Sequence, residues 1–178
     1  MHLKHQSRLT IPPQQTSSTK MSSLSDPESQ SLSQPQPILY SPETITSLPH
    51  ESFQPSHPSP NQTSPHGTVT WRTLLSTPNT PSTSLSAGLA SCAPYTGSLA
   101  LHRHTQAEIY YITSGSGVVI IEGTEHRVSA GSVVFIPGDA EHGVRNEESE
   151  ALEWFYVFPT GAFGDVIYRF SGDECCGS

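Results

Sequence analysis

The first 66 residues show neither a helical nor a strand period, whereas short apolar and β-branched runs recur between turn residues after Gly67. Val69–Leu75 (VTWRTLL), Leu85–Ser91, Gly97–Leu101, Ala107–Thr113 (AEIYYIT) and Val118–Glu122 (VVIIE) each read as a strand. So do Glu125–Ser129, Ser132–Ile136 (SVVFI), Glu141–Asn146, Leu152–Phe158 (LEWFYVF) and Val166–Phe170. Ser114-Gly115-Ser116-Gly117, Gly123-Thr124, Ala130-Gly131 and Pro137-Gly138-Asp139 supply turns between them. No segment holds a 3.6-residue period beyond two turns, and there is no internal repeat. About ten short strands with turns every ~8–12 residues predict an all-β sandwich, jelly roll or small barrel. A doubly wound α/β fold is excluded, because no crossover helices separate the strands.

Composition accounts for the silence of the first part. Of residues 1–66, 40 are Ser, Thr, Pro or Gln, and only Tyr40 and Phe53 are aromatic. Such a stretch buries too little apolar surface to offset the entropy of ordering it, so 1–66 is expected to be a disordered extension. That leaves 67–171, about 105 residues, as one small core, with 172–178 as a C-terminal tail. Met21 is an alternative start.

Charge narrows the partners. Residues 67–178 carry five Arg, no Lys and twelve acids. A domain so acidic, without a basic stripe, is a poor binder of nucleic acid or anionic membrane. No apolar run approaches the ~20 residues that span a bilayer. The N-terminal residues contain no apolar h-region, so no secretory leader is expected and a cytoplasmic location is. The three cysteines, Cys92, Cys175 and Cys176, form no spaced framework, which fits a reducing compartment better than a disulfide scaffold.

Candidate chemistry lies in the histidines of the second part: His102, His104, His126 and His142. His102 and His104 are i and i+2, so on a strand they share a face. Glu108 follows at an even offset and can return to that face if the strand continues or folds over. His142 comes from a different strand, after the Pro-Gly turn. Three imidazoles and one carboxylate suit Fe, Mn, Ni, Cu or Zn. Too few thiolates are placed to hold an iron–sulfur cluster. His126, between Glu125 and Arg127 beside a hairpin turn, reads as a solvated strand residue. Cys92 has no base partner and reads as a buried small residue.

These residues carry a family resemblance. Gly97-SLAL-His102-Arg-His104-TQA-Glu108-IYYITS-Gly115 resembles the first cupin motif, G-x5-H-x-H-x3-4-E-x6-G. Gly131-SVVFI-Pro137-Gly-Asp-Ala-Glu-His142-GVR-Asn146 resembles the second, G-x5-P-x-G-x2-H-x3-N. Two positions depart from the pattern. Only four residues separate Gly97 from His102, and Asp139 stands where the family has glycine. Asp tolerates left-handed turn geometry better than most residues, so the turn is expected to survive.

The resemblance implies a single jelly-roll β-barrel holding a divalent metal, Fe(II) first, on His102, His104, Glu108 and His142. It implies a structural or ligand-supporting place for Asn146. More finely, HRHTQAEIYYITSGSGVVIIEG, FIPGDAEHGVRN and LEWFYVF are similar to small fungal cupin oxidoreductases of polyketide, salicylaldehyde-type gene clusters, and to cupin dimethylsulfoniopropionate lyases. The leading expectation is thus a metal-dependent oxidoreductase acting on a small aromatic or polyketide intermediate in secondary metabolism. The alternatives are a non-redox lyase, isomerase or cyclase, and a non-catalytic ligand-binding cupin. Tyr110 shares parity with Glu108 and is the candidate acid/base. Leu152, Trp154, Tyr156 and Phe158 alternate with largely apolar neighbours, so the last long strand is expected to serve both the core and a homodimer interface.

Overall fold

A computed structural model describes residues 36–54 and 64–176. Residues 1–35 and 55–63, with Met21 and most of the extension expected to be disordered, lie outside the described residues, as do 177–178. The described strands are β1 (Glu51–Ser52), β2 (Thr70–Leu75), β3 (Ser86–Cys92), β4 (Gly97–Arg103), β5 (Glu108–Ser114) and β6 (Ser116–Ile121). They continue as β7 (Thr124–Ser129), β8 (Val133–Ile136), β9 (His142–Asn146), β10 (Leu152–Phe158) and β11 (Arg169–Phe170). One short helix, α1 (Pro42–Ser47), precedes them, and 3-10 turns follow at Phe163–Asp165 and Ser171–Cys176.

The strands form two antiparallel sheets, in the orders β1-β2-β3-β10-β5-β8 and β11-β4-β9-β6-β7. Strand alternation turns one face of each sheet inward. On β10, Leu152, Trp154, Tyr156 and Phe158 are buried while Glu153 is exposed. Tyr110 and Ile112 from β5, Val119 from β6, Val144 from β9 and Ile136 from β8 meet them in the core. The architecture is the expected all-β jelly roll. The ten expected strands are all present, although Val166–Phe170 is extended only at Arg169–Phe170, after the 3-10 turn.

Two irregularities aim the polar interior. The β4–β9 register shifts between Leu99 and His102, so both residues point inward although they are three apart. The turn before β9 is made by Asp139 at φ +62°, the residue standing where the family pattern has glycine. Its backbone N–H donates to the His104 carbonyl at 2.7 Å, docking this turn on the loop after β4.

Within the extension, residues 41–53 are ordered, in a short helix and a strand. Ser41 caps α1 through the Thr44 N–H, with Pro42 in the first turn and Glu43 beside the helix N-terminus. β1 pairs with β2 through Glu51↔Trp71 and Ser52↔Thr70. Phe53 packs on Trp71, Tyr168 and Phe170. Averaging composition over the whole stretch hid a local cap signal and two anchoring aromatics, Phe53 and Tyr40, whose hydroxyl donates to the Leu74 carbonyl. The C-terminal boundary shifts too, because the 3-10 turn from Ser171 continues into the expected tail and Asp173 pairs with His66 at 3.3 Å.

Asn146 closes the end of the barrel away from the histidines. Its Nδ2 donates to the carbonyls of Cys92, Ala93 and Glu150 at 3.0, 3.0 and 2.8 Å, and its Oδ1 accepts from Glu148 N–H at 3.0 Å. Its bonds tie two loops together and none reaches a histidine. Asn146→Ala orphans these backbone groups, with an expected cost of about 3 kcal/mol. Calorimetry should show a fall in Tm of roughly 10 °C or more, with bound metal per chain unchanged.

Candidate metal centre

His102 and His142 are cross-strand partners on β4 and β9. His104 follows the end of β4, and Glu108 opens β5 in the opposite sheet. The chain folds over between His104 and Glu108, so the carboxylate reaches the imidazoles from across the barrel. All four residues are buried, at 0–3% exposure. The three histidines each offer a ligand atom within 4.8 Å of the others.

Each ring is fixed by the same device. The Nδ1 atoms of His102, His104 and His142 lie 2.8, 2.8 and 2.9 Å from the carbonyls of Ala100, Gln106 and Ala140. A carbonyl oxygen can only accept, so each Nδ1 carries the proton and each Nε2 presents a lone pair. All three Nε2 atoms and Glu108 Oε2 are buried without a hydrogen-bond partner. Glu108 Oε2 stands 3.4 Å from His104 Nε2 and 3.3 Å from His142 Nε2. Four acceptors converge with no donor among them, and a cation relieves that arrangement. The residues therefore fit a divalent metal, with soft sulfur ligands absent from the set.

The surroundings are aromatic. Tyr168 stacks on His102 at a ring separation of 4.7 Å and meets His104 at 5.5 Å. Phe158 packs edge-on against His104 at 5.1 Å. Tyr110 lies 6.5 Å from His142, and its hydroxyl interacts with the Glu108 carboxylate. Burial first, and then the Glu108 charge, push the pKa of Tyr110 and Tyr168 well above the usual 10. Both hydroxyls therefore hold their protons at neutral pH. Glu108, Tyr110 and Tyr168 line a cavity of about 320 Å³, open mouth included, with Trp71, Trp154 and Tyr156 among its other walls.

Comparison with known proteins agrees with this geometry. Residues 88–158 match the model of the cupin domain family. Dimethylsulfoniopropionate lyase DddW of Ruegeria pomeroyi is 36% identical over 134 residues, covering 75% of this chain and 87% of the lyase. The chain is a cupin. A second match, to the 5-aminosalicylate 1,2-dioxygenase of a Comamonas species, is 36% identical over 50 residues but spans only 13% of that enzyme. Among solved structures, the polyketide cyclase RemF from Streptomyces resistomycificus superposes with a TM-score of 0.59 at 19% identity, covering 76% of this chain and 85% of that one. A cupin 2 conserved barrel protein from Rhodopseudomonas palustris gives 0.55 at 18% identity, covering 75% and 83%. These last two share the fold.

The fold thus brings His102, His104, Glu108 and His142 together, with Tyr110 beside them. Asn146 sits four residues beyond His142 along β9, about 13 Å at ~3.3 Å per residue. His126 is exposed on β7, the edge strand of its sheet, and is not among the converging histidines. Cys92 is buried, and burial pushes its thiol up to about 12, which leaves it unreactive. Tyr168 was not among the sequence candidates. Its signal is indirect: it precedes Arg169 and Phe170, which pair with Arg103 and His102 across sheet strands.

His104→Ala and His142→Ala should each lower metal affinity by more than the 10–100-fold that outer-shell changes typically cost. Glu108→Gln keeps the size but removes the charge, so metal content measured by mass spectrometry should fall between those variants and wild type. His126→Ala should match wild type, and an empty site in that variant would overturn the assignment of His102, His104, Glu108 and His142 as the ligands.

Burial, and after it the neighbouring His142, push the His102 pKa well below the usual 6.5. In metal-free protein the folded state keeps this ring neutral where the unfolded chain protonates it. Stability from this group is full above about pH 6.5 and is lost as pH falls below it toward the depressed folded value. Denaturant midpoints of chelated protein should decline from about pH 6.5 to pH 5 and stay level on this account above it.

Proposed function

We propose that this cupin is a metal-dependent lyase that eliminates a leaving group from a small carboxylate, with dimethylsulfoniopropionate as the first substrate to test. The observation that carries the reading is the orphaned cluster of three imidazoles and a carboxylate, of which Glu108 lines a cavity whose other ionisable walls are tyrosines. The 36% identity to a dimethylsulfoniopropionate lyase over three-quarters of the chain supports it.

His102, His104, Glu108 and His142 would hold the metal; Fe(II) is the first candidate, and Mn, Ni, Zn and Cu suit the same donors. When bound, the metal supplies a Lewis acid for a substrate carboxylate. The chain does the rest. No lysine or arginine lines the cavity, so no side chain there neutralises an anion. Trp71, Trp154 and Phe163 offer aromatic faces that suit an onium group. Elimination takes a proton from the carbon beside the substrate carboxylate and releases the sulfide neutral; Tyr110 Oη, at the cavity wall, can take up that proton as it passes its own to the Glu108 carboxylate beside it.

The assay is release of dimethyl sulfide and acrylate by metal-reconstituted protein, against chelated protein as the control. Tyr110→Phe should lower kcat by about 100-fold or more with KM little changed. No release with any of the five metals overturns the reading.

A second reading keeps the site and changes the chemistry. The aromatic walls also suit a flat phenolic or polyketide-type ring, and the donor set equally serves an oxidoreductase. Oxygen consumption on phenols and aromatic aldehydes, without dimethyl sulfide release, would favour it.

We further propose that the protein works as a homodimer. The interface shifts from the expected β10 to the outer face of β5 and β8, because the inner side chains of β10 are buried and Phe155 and Val157 only half-exposed. Ile109 and Tyr111 of β5 pair with Phe135 and Val133 of β8, and all four are 45–69% exposed. An apolar patch on an edge strand favours a second copy over solvent. Sedimentation should give a dimer at micromolar concentration and a monomer for Phe135→Glu.

A further inference from the structure

Phe53 is the one cavity-lining residue contributed by the chain before residue 64, among the described residues. Its ring lies 4.9 Å from Trp71, 5.3 Å from Phe170 and 5.4 Å from Tyr168. Trp71 and Tyr168 are themselves cavity walls, and Tyr168 stacks on His102. Phe53 therefore closes a side of the chamber within one aromatic ring of a candidate ligand.

The segment carrying Phe53 is tied to β2 by three side-chain hydrogen bonds besides the β1–β2 pairing. Thr73 N–H donates to Glu51 Oε1 at 3.1 Å, Arg72 Nε donates to the Leu48 carbonyl at 3.2 Å, and the Tyr40 hydroxyl donates to the Leu74 carbonyl at 3.0 Å. None of these bonds runs to β4, β5 or β9, which carry the candidate ligands. A change at 53 therefore reaches the metal set through packing, by way of the Tyr168 ring that stacks on His102.

We propose that Phe53 is a specificity-determining residue, the wall that limits the cavity to molecules of a few heavy atoms. This rests on the reading of that cavity as the substrate chamber. The benzyl group occupies space that a bulkier substituent on the substrate would need, while the ligands and Tyr110 stay unchanged. A smaller side chain at 53 lengthens the chamber toward the solvent.

The chain contains two tryptophans, Trp71 and Trp154. Both line the cavity and are 6% and 2% exposed, so intrinsic fluorescence reports on this chamber. Full-length, metal-loaded protein is titrated with acrylamide and with the larger quencher succinimide. Wild type should resist both. Phe53→Ala should raise both quenching constants by about threefold or more, as a void opens in place of the ring. Phe53→Leu preserves packing and should admit acrylamide more than succinimide.

Unchanged quenching in both variants overturns the proposal. So does a rise in Phe53→Ala that comes with a lost near-UV dichroism spectrum and no rise in Phe53→Leu. A turnover arm compares dimethylsulfoniopropionate with its diethyl analogue. The preference for the smaller compound should fall about tenfold in Phe53→Ala, and an unchanged preference overturns the proposal. Wild-type inactivity on both compounds would refute the lyase reading, while quenching would still decide the role of Phe53.

Discussion

Four acceptor atoms that face one another in a dry interior cannot satisfy each other. Water could solvate them in an unfolded chain, but in the folded barrel His102, His104, Glu108 and His142 are almost fully buried. The three Nδ1–H groups are committed to backbone carbonyls, so the rings cannot turn a proton toward Glu108 without losing those bonds. A divalent cation held by these residues would relieve this mutual repulsion. It would also link the sheets, since His102 and His142 belong to one and Glu108 to the other. Folding stability and metal affinity are then linked, because a ligand that binds only the folded chain stabilises it by mass action.

Backbone irregularity delivers these atoms. Without the register shift between Leu99 and His102, simple alternation would place Leu99 and His102 on opposite faces. The left-handed turn at Asp139 brings the chain back into β9 while its N–H holds the His104 carbonyl. Gly138 lets that turn approach closely: a Cβ there would lie 2.3 Å from the Thr105 carbonyl oxygen. The loop carrying one ligand and the turn leading to another are therefore packed as one unit. A change at Gly138 would move His104 and His142 together, though neither is its neighbour in sequence.

The strands and the convergence of the candidate ligands were legible because both are written locally. Alternation in VTWRTLL and LEWFYVF marks inward positions, and the spacing His102, His104, Glu108 with His142 after a Pro-Gly turn marks the centre. The walls of the chamber were not legible. Tyr168 and Phe53 reach it through pairing between segments far apart in sequence, and no local period announces such a contact. The ordered part of the extension was missed for a related reason. Two anchoring aromatics, Tyr40 and Phe53, count for little in a composition of 66 residues, yet each meets β2 or the core across it. The proposed dimer face differs from the expected one for a third reason: β10 is central in its sheet, whereas β8 stands at an edge.

The choice between elimination and oxidation rests on what stands beside the ligands rather than on the ligands. Imidazole and carboxylate donors serve either chemistry. Tyr110 and Tyr168 are kept protonated by burial and by the Glu108 charge, so the walls offer proton-holding groups in contact with the candidate shell. A reaction that shifts a proton can relay it through Tyr110 to the Glu108 carboxylate. A reaction that consumes oxygen needs them only for shape. Lining residues that include neither lysine nor arginine add a second constraint, since a substrate carboxylate finds its counter-charge only at the cluster itself. An anionic head would therefore be drawn to one end of the chamber and a cationic or apolar group left among the aromatic rings. That polarity, acid-binding at one end and aromatic at the other, orients a small zwitterion without any dedicated charged side chain, and it is the reason elimination is placed first.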